Sequence, residues 1–207
     1  TLPPLIDPRY RVACAAVGPR IYSFGGTSMW NGGGPAMGGN PGGEELWVIE
    51  TPILHRIGTM AGNAGAAMLP GTDGVVVAGG MTDGGTVEMG ANTFQLCTPL
   101  PMDDKNPFTL GDPWNSAGVM SAPRHHAAAA VWIDAADQVH SFVTGGFDGA
   151  GTAVDTIEAY DAGAWDVHSA TMADPRGAHG AGVIDGYLYA FGGLTTGGAT
   201  IDTVDSF

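Results

Sequence analysis

The strongest constraint in this sequence is a glycine pair that closes an apolar strand four times over. Residues 21–24, 75–78, 141–144 and 187–191 each run directly into a pair: Gly25-Gly26, Gly79-Gly80, Gly145-Gly146 and Gly192-Gly193. The first glycines of successive pairs, Gly25, Gly79, Gly145 and Gly192, are 54, 66 and 47 residues apart. Self-similarity at such a period means one small structural unit used repeatedly. A unit of that size cannot bury both of its faces alone, so each must pack on its neighbours.

Two further landmarks keep register with the glycines. Upstream lies an apolar residue, two intervening residues, then Pro-Arg: Leu5-Ile-Asp-Pro8-Arg9, Met120-Ser-Ala-Pro123-Arg124 and Met172-Ala-Asp-Pro175-Arg176. The second repeat keeps the apolar residue in Met60-Ala-Gly-Asn and lacks the Pro-Arg. A strand of small residues follows each turn, over 12–17, 64–69, 127–133 and 178–184. Downstream of the pair comes an acidic residue in an apolar strand: Glu158 with Tyr160-Asp161 and Trp165, then Asp205 with Phe207, a shorter Val87-Glu88-Met89, and Glu45 before Trp47. These landmarks divide the chain into repeats over 6–59, 60–119, 120–171 and 172–207, with 1–5 supplementing the last.

Each repeat therefore reads as a short all-β unit. Small residues suit the crowded centre of a ring on which four-stranded sheets converge. The glycine pair ends a strand where another backbone comes close or where φ turns positive. Tyr160 and Trp165 are large enough to fill the space between adjacent sheets. In these motifs the chain resembles the Kelch family of β-propellers, whose repeat is a glycine pair, a spaced Glu, Tyr-Asp and Trp, then apolar-x-x-Pro-Arg. The third and fourth repeats match closely, the first at Pro8-Arg9 and Gly25-Gly26, and the second is degenerate. The resemblance implies an all-β propeller of four-stranded blades in a single domain spanning 1–207, and such propellers usually have six or seven blades. Phe207 aligns with Tyr160, and Thr1 carries neither an initiator Met nor a signal peptide. A piece of a longer array is the expectation, and a closed four-blade ring is the alternative.

Two segments break the period. Residues 27–43 form a glycine-rich loop between the second and third strands of the first repeat, and residues 99–115 intervene between the last strands of the second. The chain is acidic, with 21 Asp and Glu against 7 Lys and Arg and a formal charge of −14; Lys105 is the one lysine. Phosphate backbones and anionic membranes need clustered cations, so nucleic acid is not an expected partner. No apolar run approaches membrane-spanning length, so no membrane insertion is expected. Cys14 and Cys97 fall in different repeats and are not expected to bond to each other.

Candidate site residues follow from the turns. The resemblance implies that Pro-Arg positions point toward the central channel, which would gather Arg9, Arg124 and Arg176, with Arg11 and His126 close by, for bidentate capture of carboxylates. The competing expectation is structural, with each guanidinium held by acidic groups or carbonyls of a neighbouring blade. Trp30 and Met37 in the glycine-rich loop suit an exposed anchor. A metal site is not expected: no His-x-x-x-His or Cys-x-x-Cys occurs, and strand alternation would turn His125 and His126 apart. The Asp-Gly pairs at 73, 83, 148 and 185 read as hairpin turns. No cofactor is implied. Nucleophile-elbow, P-loop and dinucleotide motifs are absent. The expectation is a scaffold binding a protein, peptide or glycan through its loops. Two alternatives stand beside it: a Kelch-type carbohydrate oxidase or sugar-acid isomerase, and a structural subunit of a larger extracellular assembly.

Overall fold

The computed structural model describes residues 9–10, 13–17, 20–24, 27–28, 42–48, 54–60, 65–68, 75–80, 90–94, 114–161 and 164–207; side chains are described at positions 76, 78 and 118–207 apart from 162–163. Every regular element among these residues is a β-strand. Strand β1 (Arg9–Tyr10) pairs with β4 (Thr27–Ser28). The first four-stranded sheet runs β2 (Ala13–Val17), β3 (Arg20–Phe24), β5 (Gly42–Val48), β6 (Leu54–Met60). The second runs β7 (Gly65–Met68), β8 (Val75–Ala78), β9 (Gly90–Phe94), β10 (Trp114–Val119). The third runs β11 (Ala128–Ile133), β12 (Val139–Thr144), β13 (Thr156–Asp161), β14 (Ala164–Thr171). The fourth contains β15 (Gly180–Ile184), β16 (Tyr187–Phe191) and β17 (Val204–Ser206).

All pairings are antiparallel between strands consecutive in their sheet, as expected where short turns join neighbours. The small-residue segments form the first strand of each sheet, and these strands pack in succession, β2 on β7, β7 on β11, β11 on β15. Small side chains allow that approach. Cys14 lies on β2, while Cys97 is outside the described residues.

Period-two alternation sends the third sheet's side chains to two separate cores. Val143 and Tyr160 join Met120 against Val76 and Ala78 of the second sheet, with Trp165 packed alongside. The Tyr160 and Trp165 rings lie 5.2 Å apart, and Trp165 Cδ1 would be 3.8 Å from a Cβ at Gly118 of β10. On the opposite face, Ala130, Ile157 and Phe142 meet Leu188, Ala181, Val183 and Phe207 of the fourth sheet. Each core thus sits between two sheets, as the repeat logic requires.

Two Asp-Gly turns have different structures. Asp185-Gly186 is a two-residue hairpin with φ of 52° and 80° at its centre, the positive pair that suits Asp-Gly. Asp148-Gly149 is not a tight hairpin. It belongs to a longer loop after the glycine pair, in which Asp148 Oδ1 accepts from the N–H of Ala150 and of Thr152. The carboxylate replaces ladder partners those amides lack, and this lowers the Asp148 pKa. Asp73 and Asp83 lie outside the described residues.

Candidate binding face

The Pro-Arg turn and the glycine pair form one device, repeated at two seams. The Arg124 carbonyl accepts from Gly80 N–H and the Arg176 carbonyl from Gly146 N–H, both at 2.8 Å. The arginine backbone of one sheet thereby closes onto the glycine pair of the preceding sheet. The first glycine of each pair must be glycine for two reasons. Its φ is positive, 70° at Gly79 and 55° at Gly145, and a Cβ there would lie 2.4 Å and 2.3 Å from those same carbonyls. The Met120 and Met172 methyl groups cover the same two glycines, at 3.1 and 2.8 Å from the Cβ position. Apolar residue and arginine, four apart in sequence, thus land on one glycine.

The guanidinium turns back into its own sheet. Arg124 Nη1 donates to the carbonyls of Gly145 and Thr156 at 3.2 and 3.3 Å, and Nη2 donates to Thr156 Oγ1 at 3.0 Å and to Glu158 Oε1. Arg176 repeats this with Gly192, Thr203 and Asp205: Nη1 reaches the two carbonyls at 3.2 and 3.0 Å, Nη2 reaches Thr203 Oγ1 at 2.9 Å and Asp205 Oδ2 at 3.1 Å. The acid also caps the turn. Glu158 accepts from Ser121 N–H and Oγ–H, each at 2.8 Å, and Asp205 accepts from Ala173 N–H at 3.0 Å. Arg124 and Arg176 are both 0% exposed. Burial lowers the Arg124 pKa, while Glu158 and Asp155 act in the opposite direction. Charge-assisted bonds to a buried partner are what make such a cation tolerable there.

Sequence reasoning placed the arginines and acids but missed Thr156 and Thr203. Each stands two residues before its acid, and Thr86 stands likewise before Glu88, so the signal was present in the repeats. The partners also differ from the structural expectation: the guanidinium is hydrogen-bonded within its own sheet, and it is the main-chain carbonyl that bonds to the neighbour.

What the turns offer outward differs between repeats. His126 follows Arg124 by two residues with φ of 53°, and Ala178 follows Arg176 in the same way with φ of 52°. The strand-alternation argument therefore fails for the histidine pair, because a left-handed residue does not alternate. The His125 and His126 rings are brought together, their Nδ1 atoms in contact and their centroids 4.7 Å apart. Phe147, in the loop after the glycine pair, lies 5.8 Å from the His125 ring and 6.2 Å from that of His126, with backbone bridges tying His125 to Phe147 and Phe147 to Ala153. All three side chains are partly exposed. The fourth repeat has the same bridges, Gly177 to Leu194 and Leu194 to Thr200, without any aromatic cluster. Among the described residues, no group of three or more His, Cys, Asp and Glu side chains is arranged to hold a metal ion.

His179 stands at the seam between the third and fourth sheets. Thr144 Oγ1 is 2.7 Å from its Nε2, and its buried Nδ1 has no hydrogen-bond partner. Burial, and then the charge of Arg176, lower its pKa to about 4. Of the other predicted site residues, Arg9 has its backbone described in β1 without its side chain, and Arg11, Trp30 and Met37 lie outside the described residues.

No family model matches the chain, and no curated protein matches it.

Proposed function

We propose that this chain is a Kelch-type propeller array that serves as a binding scaffold, taking a protein, peptide or glycan ligand on the face that carries the Pro-Arg turns. The observation that carries this reading is a division of labour within the turn. Arg124 and Arg176, with Glu158 and Asp205, are consumed by equivalent hydrogen bonds in both repeats. The residues beside them differ: His125, His126 and Phe147 in one repeat, Gly177, Ala178 and Leu194 in the next. A constant frame with variable presented residues is how loops on a rigid scaffold carry recognition. In this reading the arginines set the geometry of the face, and His126 with Phe147 supplies contact area. Imidazole and phenyl rings clustered at tilted and edge-to-face angles suit a sugar face or an aromatic or acidic peptide side chain.

The test is a screen of acidic peptides and oligosaccharides against the full chain, followed by titration of His126→Ala and Phe147→Ala. A contact role predicts about tenfold weaker binding, worth roughly 1.4 kcal/mol, with the melting temperature unchanged in His126→Ala; the Phe147 ring also packs on Gly177, so Phe147→Ala lowers the melting temperature as well. Unchanged affinity in both variants would remove this face from consideration.

A further inference from the structure

His179 stands where the other Pro-Arg repeats carry Val or Ala. It follows Arg176 by three residues, as Ala127 follows Arg124 and Val12 follows Arg9. The match with Ala127 is also structural. A Cβ at Gly146 would lie 2.8 Å from the His125 carbonyl and 3.2 Å from Ala127 N, and a Cβ at Gly193 would lie 2.7 Å from both the Gly177 carbonyl and His179 Cβ. Ala127 ends in a methyl group, whereas the imidazole of His179 reaches across to the preceding sheet. Its Cε1 would be 2.8 Å from a Cβ at Gly145, beside the Met172 methyl, and its Nε2 is 2.7 Å from Thr144 Oγ1. One imidazole is therefore wedged between the glycine pairs of the third and fourth sheets.

The wedge accommodates a neutral ring. Thr144 is fully buried and its hydroxyl serves Nε2, while the buried Nδ1 has no hydrogen-bond partner among the described residues. Protonation makes both ring nitrogens donors, and the one at Nδ1 then faces no acceptor. The charge that acts on the ring has the wrong sign, because it is the guanidinium of Arg176 in the turn leading into β15. The nearby carboxylates Asp174 and Asp205 are paired with Arg176. From β12 the ring meets only the Thr144 hydroxyl. At the entry to β11 the titratable neighbours are His125 and His126, linked to this segment by the bond from Ala178 N–H to the His126 carbonyl.

The residues just before His179 carry the joint between the two sheets. The Arg176 carbonyl accepts from Gly146 N–H, and Ala178 N–H donates to the His126 carbonyl, both at 2.8 Å. The Phe147 ring packs on Gly177. We propose that His179 is an acid-operated latch: its protonation opens the joint between the third and fourth sheets locally and removes the support beneath His126 and Phe147, while the joint between the second and third sheets, where Ala127 takes its place, stays shut. A buried histidine that gains charge is a general basis for acid-responsive interfaces. The closed seam holds the His179 pKa at about 4, and in the open seam the ring regains its ordinary value of 6.5. The latch is therefore closed above about pH 6.5 and weakens progressively as pH falls toward 4. Acid release of a ligand from this face is a consequence that rests on the binding role proposed above; the opening of the joint does not.

Amide exchange of the full chain, corrected for the intrinsic effect of pH on exchange, tests the latch without any ligand and so apart from the binding role. Gly146 N–H and Ala178 N–H report on the latched joint, and Gly80 N–H, bonded to the Arg124 carbonyl, reports on the joint without a latch. From pH 7 to pH 5, protection at Gly146 and Ala178 is expected to fall about twentyfold, the ratio that the two pKa values set, while protection at Gly80 holds. His179→Gln keeps a neutral hydrogen-bonding side chain, and His179→Ala copies Ala127. In each, protection at Gly146 and Ala178 should become as insensitive to pH as at Gly80, whatever the substitution does to overall stability. A wild-type joint whose protection ignores pH overturns the proposal, as does an equal fall at Gly80. A fall that survives His179→Gln also overturns it, and assigns the response to His125 and His126.

Discussion

The third and fourth sheets are built from the same positions and differ in what lies on one side of them. The third has a sheet on each face, so its alternating side chains feed two cores. The fourth has one such core and, opposite it, a bare face of large apolar residues. The same contrast appears at the glycines, since Gly145 is pressed by a carbonyl and a methyl group while Gly192 is not. Identical local conformation at both pairs shows that the strand-ending turn forms from its own sequence, and that the neighbouring sheet exploits it rather than imposes it.

Substitutions at matched positions can break or sharpen this contrast. The largest effect is expected for Glu158→Gln, which takes a buried charge away from fully buried Arg124. Leaving such a cation unpaired costs about 3–5 kcal/mol, and chemical denaturation should show it. The matched Asp205→Asn should cost less, about 1–2 kcal/mol, because Asp205 lies nearer solvent. Equal losses would mean that the two arginines depend on their acids alike, whatever covers the sheet.

Next come the matched apolar residues. Ile157→Ala opens a cavity in a closed core and should cost about 2–5 kcal/mol. Val204→Ala should stay within about 0.5 kcal/mol in the monomer. A large loss at Val204 would show that its face is covered in solution.

Glycine substitutions separate strain from crowding. Gly192→Ala should cost about 1–2 kcal/mol, the penalty of placing a Cβ in the left-handed region. Gly145→Ala carries that penalty and a collision with the Arg176 carbonyl as well, adding about 1–3 kcal/mol. Thermal melts of the two variants should therefore differ, and equal values would mean that the clasp yields easily.

A last contrast is read from pH rather than from substitution alone, at the covered seam. His179 has a folded pKa of about 4, below its ordinary unfolded value. Between about pH 6.5 and 4 the unfolded chain binds a proton that the folded chain refuses. Stability contributed by neutral His179 is complete above that window and declines as pH falls through it, by at most about 1.4 kcal/mol per pH unit. His179→Gln should flatten this slope relative to wild type. A slope unchanged by the substitution would assign acid sensitivity to the carboxylates.

Much of the fold was legible in the sequence because the repeat constrains backbone, and backbone requirements show as glycine, proline and small residues. The expected first strands at 127–133 and 178–184 correspond to Ala128–Ile133 and Gly180–Ile184. Tyr160 and Trp165, large enough to fill the space between adjacent sheets, do pack against Val76 and Ala78 of the second sheet. The arrangement of the turn was harder to read. A Pro-Arg pair does not announce whether its guanidinium turns outward or inward; that depends on Thr156 and Glu158, which are 32 and 34 residues away. The meeting of His125 and His126 was invisible for a different reason. It depends on one non-glycine residue entering the left-handed region, where a backbone bond from Ala178 N–H to the His126 carbonyl helps to hold it.

The landing of Met120 and Arg124 on Gly79, and of Met172 and Arg176 on Gly145, makes the five-residue turn a ruler. Its length is measured at both ends against a single atom position on another sheet. An insertion or deletion inside it would move either the methyl group or the carbonyl off the glycine and open the seam. Outside the ruler the repeats do vary in length: 19 residues separate β9 (Gly90–Phe94) from β10 (Trp114–Val119), against two between β13 (Thr156–Asp161) and β14 (Ala164–Thr171). Evolution and protein engineering therefore meet the same boundary: new sequence can be grafted between strands, while the spacing from apolar residue to arginine has to stay fixed.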